Sequence, residues 1–138
     1  MKNPFRALIV TVALAPLFVP LMAWDAPLGP ENLKPQTLCP VMGGAIDSTI
    51  YTDYQGQRVY FCCPGCVDSF LSAPEKYFER AAADSILFES VQTICPVMGN
   101  PINRDFWVWH MGRGVYFCFE HCIGTFLAEP RKYLDTIR

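Results

Sequence analysis

Six cysteines in this chain recur in one order and spacing. Cys39, Cys62 and Cys66 read C-x22-C-x3-C, and Cys95, Cys118 and Cys122 read the same. A thiolate is both a nucleophile and a metal ligand. Three thiolates on one small unit suit a metal better than disulfides, because three cannot pair within the unit. The third cysteine of each set follows the second by four residues, about one helical turn. Near a helix N-terminus the local dipole favours the thiolate, the form that binds metal. Thiolates are soft donors, suited to Cu(I) and also to Zn(II). The seventh cysteine, Cys63, faces Phe119 in the other set and lies outside the shared pattern.

The cysteines belong to a longer repeat. Gln36–Tyr77 aligns with Gln92–Tyr133 at a constant offset and without gaps. Gln36-Thr37-Leu38-Cys39-Pro40-Val41-Met42-Gly43 meets Gln92-Thr93-Ile94-Cys95-Pro96-Val97-Met98-Gly99, and Val59-Tyr60-Phe61-Cys62 meets Val115-Tyr116-Phe117-Cys118. Phe70-Leu71 meets Phe126-Leu127, and Lys76-Tyr77 after Pro74 meets Lys132-Tyr133 after Pro130. One unit is used twice.

The elements that must position the thiols follow from local pattern. Cys-Pro-Val-Met-Gly is a tight turn closed by a glycine suited to positive φ. Aromatic and β-branched residues predict hairpins over 48–54 and 57–62, turning at Gln55-Gly56, and over 105–110 and 114–118, turning at Met111-Gly112. Short helices are expected over 66–71 and 122–127. Pro74 and Pro130 each suit the first position of a further helical turn, and Ala81-Ala82-Ala83 prolongs the first of these. The fold class expected is α+β: two tandem small modules, each a cysteine turn, a hairpin and short helices. This order resembles the treble-clef zinc site, in which Met42 and Met98 would stand where the knuckle has its second cysteine. Two readings of these methionines stand, core filling and a thioether as fourth ligand.

Both units also resemble the YHS domain of the wider TRASH-like group, through Cys-Pro-Val-Met-Gly, a hairpin ending Tyr-Phe-Cys, a cysteine four residues on, Phe-Leu, and Lys-Tyr after a proline. The resemblance implies heavy-metal binding in trafficking, resistance or sensing, with Cys39, Cys62, Cys66, Cys95, Cys118 and Cys122 as ligands. It also implies the company of metal-transport proteins. The Tyr-His-Ser triplet that names the family is absent.

The organisation expected is a signal peptide over 1–23, a Pro-rich tether over 24–35, a first module over 36–80, a linker over 81–91 and a second module over 92–138. Lys2 and Arg6 precede an apolar run from Ala7 to Met22 that Pro16 and Pro20 interrupt. That is the layout of a secretory signal, so export to a periplasm is expected, with membrane attachment only if the segment is retained. Without residues 1–23 the chain keeps all 13 acidic and 9 of 11 basic residues, so its net charge is about −4 with histidine neutral. No clustered Lys and Arg mark a nucleic-acid surface.

Other groups fall outside the repeated chemistry. Cys63-Pro64-Gly65-Cys66 is a C-x-x-C that invites thiol–disulfide exchange, but no thioredoxin-like βαβ pattern surrounds it. His121 has Gly65 as its counterpart and reads as a surface residue, and His110 reads as an exposed turn residue. Phe106, Trp107, Trp109, Tyr116 and Phe117 at strand spacing are expected in the core, with the surplus available to join the modules. No nucleophile–base pair or phosphate loop points to an enzyme. The main alternative to metal handling is a structural zinc module that mediates protein contact.

Overall fold

The computed structural model describes residues 29–137, so the expected signal segment and the first part of the tether lie outside it. The described chain is α+β, with small sheets and short helices. In the first module, β2 (Asp47–Tyr54) and β3 (Gln57–Phe61) form an antiparallel hairpin, followed by α1 (Gly65–Ser72) and α2 (Pro74–Ala83). The second module repeats this with β6 (Asn103–His110), β7 (Arg113–Phe117), α3 (His121–Ala128) and α4 (Pro130–Leu134). Both hairpins carry a register shift at the same place, between Asp47 and Tyr51 and between Asn103 and Trp107.

The turns explain the hairpins. Gln55 and Gly56 both have positive φ (47° and 73°), as do Met111 and Gly112 (46° and 82°). Two consecutive positive φ values make the type I′ turn, whose twist matches that of the strands it joins. Pro74 and Pro130 open α2 and α4 as expected, where the missing N–H costs no helical bond.

The segments expected as tether and linker contribute structure. β1 (Lys34–Pro35) pairs in parallel with β4 (Ile86–Leu87), and β5 (Glu89–Ser90) extends the first hairpin along β3. Phe88 between them is 2% exposed and meets Phe78 edge to face at 5.3 Å.

Each module has its own core. The first gathers Val59, Phe61, Phe70, Phe78, Ala81 and Phe88 around Cys39 and Cys66. The second gathers Val108, Val115, Phe117, Phe126, Leu134 and Ile137 around Cys95, Cys118 and Cys122. Of the aromatic set, Phe117 is fully buried, while Trp107 and Tyr116 stack on each other at 6.0 Å and stay half-buried.

The hairpin tips are buried, which is unusual for turns. Gly56 and Gln57, and Gly112, Arg113 and Gly114, are all buried because each tip meets the opposite module. Gln57 Nε2 donates to the Gly114 carbonyl at 3.0 Å. The Arg113 guanidinium lies 3.7 Å over the Phe78 ring and donates to Glu75 Oε1 at 2.6 Å. A β-carbon at Gly112 would collide with the Phe78 carbonyl, so that approach requires glycine.

Candidate metal centre

Each cysteine is set by a different element. Cys39 sits in a turn that folds back on itself: its N–H donates to the Gly44 carbonyl at 2.7 Å, and Gly43 N–H donates to the Cys39 carbonyl at 2.8 Å. Gly43 closes it at φ 72°. Cys95 repeats these bonds with Asn100 and Gly99 at 2.7 and 2.8 Å. Cys62 and Cys118 each follow the last residue of a strand, and Cys66 and Cys122 are the second residues of α1 and α3.

A glutamine ties the turn to the strand. Gln36 Nε2 donates to the Tyr60 carbonyl at 2.7 Å, and its Oε1 accepts from Tyr60 N–H at 3.0 Å. Gln92 makes the same pair of bonds to Tyr116, at 2.7 and 3.0 Å. Gln36 stands three residues before Cys39, and Tyr60 two before Cys62. The clamp therefore fixes the first thiol against the second. Its identity in both copies was visible in the sequence, but its role was not.

The result is two clusters. The Sγ atoms of Cys39, Cys62 and Cys66 all lie within 4.8 Å of one another, as do those of Cys95, Cys118 and Cys122. The Cys62–Cys66 and Cys118–Cys122 edges are both 3.8 Å. At a Zn–S length of 2.3 Å, a tetrahedral edge is about 3.8 Å, so the spacing fits a thiolate-bound metal. The thiols of the second cluster are all buried, while Cys62 of the first is half-buried.

Electrostatics divide the thiols within each cluster. Burial works against the Cys39 thiolate, but backbone N–H groups of Met42, Cys62 and Val41 together outweigh it and lower its pKa to about 7. Hydrogen bonding with Cys39, and then burial, pushes Cys62 up. Contact with Cys63, and then burial, pushes Cys66 up. In the second cluster, burial of Cys95 is likewise outweighed by N–H groups from Cys118, Met98 and Val97, while burial first and Cys118 second push Cys122 up to about 12. One turn cysteine in each cluster thus holds a negative charge most readily, and its neighbours donate to it.

Other residues named from the sequence fall as follows. Met42 and Met98 are 72% and 49% exposed, so core filling is not their role. His121 is exposed as expected, stacked at 5.8 Å on Phe119, with Nε2 3.7 Å from Cys122 Sγ. It lies outside the mutually close thiol set. His110 is not the exposed turn residue expected. It ends β6 and sets its ring against Phe126 at 5.3 Å, and burial lowers its pKa. The turn itself is Met111-Gly112.

Comparison with known families bears on this geometry. Residues 40–81 match the YHS domain. The match covers the Cys39 turn from Pro40, the hairpin, Cys62, Cys66, α1 and most of α2. The second module repeats the first module's element order and thiol spacing. No curated protein and no solved structure matches the chain. A YHS domain points to heavy-metal binding, and the two thiol clusters are compatible with a transition-metal ion.

Proposed function

We propose that this protein is an exported heavy-metal-binding protein that carries or sequesters a soft ion, Cu(I) foremost and Zn(II) next, at two tandem YHS modules. The supporting observation is the pair of clusters in which three thiols from a turn, a strand end and a helix start converge within 4.8 Å. Soft donors and few of them favour Cu(I), whose low coordination number three thiolates satisfy. In this reading Cys39, Cys62 and Cys66 hold one ion, and Cys95, Cys118 and Cys122 hold the other. The exposed Met42 and Met98 at the turns are thioethers available as fourth ligands or at hand-over to a metal-transport partner. The role is trafficking, sequestration or resistance rather than catalysis. The charged start and apolar run of residues 1–23 support a periplasmic location.

Metal analysis of the mature protein, purified anaerobically and offered copper or zinc, tests this. The wild type is expected to hold about two ions, and the Cys39, Cys62, Cys66→Ser triple variant about one. Equal retention by both would sink the reading.

A structural zinc module for protein contact is the second reading, favoured by the burial of five of the six thiols inside the two cores. A chain that unfolds on chelation and never exchanges its zinc would support it, because structural zinc supplies roughly 10–16 kcal/mol in small modules.

A further inference from the structure

The two modules differ at one thiol. Cys63 Sγ lies 3.2 Å from Cys66 Sγ, closer than Cys62 Sγ at 3.8 Å. Yet Cys63 does not belong to the set whose sulfurs are all mutually within 4.8 Å. A fourth ligand on a shared ion would stand about 3.8 Å from each of the other three sulfurs. Cys63 instead stands closest to Cys66. It is half-buried, hence reachable, whereas Cys66 is 2% exposed. A Cys66 N–H to Cys63 carbonyl bond of 3.2 Å closes the chain between them into a tight turn at the start of α1. A further approach of about 1.2 Å would bring the sulfurs to bonding length. In the second module Phe119 takes this place, 51% exposed and without a thiol.

We propose that Cys63 and Cys66 form a reversible disulfide that withdraws Cys66 from the first cluster, so that oxidation by disulfide compounds empties the first site and leaves the second loaded. The inference rests on the metal-binding reading above. The oxidant is a small disulfide, RSSR. Cys63 sulfur attacks it, one RS⁻ leaves, and a mixed Cys63–S–S–R bond forms. Cys66 sulfur leaves the metal and attacks Cys63 sulfur, expelling the second RS⁻. Two cysteine sulfurs are oxidised and RSSR is reduced to two thiols: one takes up the Cys63 proton and the other a proton from water, because the metal-bound Cys66 thiolate carries none. The first site then keeps two thiolates of three, and its ion dissociates.

Zinc is the probe metal, because Zn(II) has no redox chemistry of its own. The reduced full-length protein is loaded with zinc and exposed to oxidised glutathione, and zinc per chain is measured beside disulfide mapping by peptide mass spectrometry. The wild type is expected to fall from about two zinc ions to about one, with a Cys63–Cys66 bond. Cys63→Ser should keep both. Phe119→Cys, a surface change, should lose both. Equal loss from both sites in the wild type, the same loss in Cys63→Ser, or a mapped bond that joins Cys62 or Cys39 would overturn the proposal. A reduced wild type that takes up neither zinc nor Cu(I) refutes the metal reading itself, whereas zinc uptake without a Cys63–Cys66 bond refutes only the switch.

Discussion

Arg113 Nη2 donates to Glu75 Oε1 at 2.6 Å, across the boundary between the two modules. Arg113 belongs to β7 of the second hairpin and its side chain is fully buried; Glu75 belongs to α2 of the first module and is about half exposed. The guanidinium also stacks on Phe78 and donates to the Met111 carbonyl at 3.2 Å. A buried cation is stable only with such company. This contact joins two units that are each too small to be stable easily alone.

That asymmetry of burial predicts unequal mutants. Glu75→Ala leaves a buried charge unpaired and should cost about 3 kcal/mol or more of unfolding free energy. Arg113→Met removes the charge but keeps the volume on Phe78, and should stay within about 1 kcal/mol of wild type. Loss of the exposed Glu129–Lys132 pair at 3.3 Å should cost roughly 0–1 kcal/mol. Urea unfolding of the three variants checks the order, and an Arg113→Met that unfolds more readily than Glu75→Ala would contradict it.

The glutamine clamps should act locally. Gln92→Ala removes three hydrogen bonds, one to the Ile94 carbonyl and two that hold the Tyr116 N–H and carbonyl. The expected cost is about 1–3 kcal/mol, together with weaker metal binding at Cys95, Cys118 and Cys122. Gln36→Ala should do the same at the first site only. Competition titration with a chromophoric chelator resolves the two sites, and equal weakening of both by either variant would rule out a local clamp.

Gly112 and Gly99 share positive φ (82° and 72°) but not surroundings. Gly99→Ala meets nothing within 4 Å, so only the backbone conformation resists it, at about 1 kcal/mol. Gly112→Ala runs into the Phe78 carbonyl and must part the modules. Its loss of stability should be at least twice that of Gly99→Ala, as read by thermal unfolding.

The first thiol cluster should titrate in two separated stages. The Cys39 pKa is lowered to about 7, while those of Cys62 and Cys66 are raised. A depressed thiol favours folding when ionised, so the Cys39 contribution is complete above its ordinary value and lost as pH falls through about 7. Cys62 and Cys66 act oppositely: they favour folding below their ordinary values, and that contribution is lost as pH rises further. Thiolate absorbance of the metal-free protein near 240 nm should therefore show a step around neutrality that Cys39→Ser removes. Metal entry at the first site near pH 8 should release roughly two protons, one from each remaining thiol. Release of three would contradict the ionised Cys39.

Much of the site was legible before folding was considered. The offset between the copies, the C-x22-C-x3-C spacing, the hairpin turns at Gln55-Gly56 and Met111-Gly112, and the prolines that open α2 and α4 are signals read along the chain. They were enough to place three thiols on a turn, a strand end and a helix start, and to set Cys63 apart. What only the tertiary structure decided lies between distant residues. Gln57 and Arg113 hold the same place in the repeat, yet one donates to Gly114 and the other to Glu75. Both look like exposed polar residues beside a turn. Their burial comes from the hairpin tips meeting the opposite module, a contact that no pattern within one module encodes. The same holds for Cys63: its type and position were plain, but its 3.2 Å approach to Cys66 depends on how α1 begins. Spacing selects which side chains can meet; packing sets how closely they do.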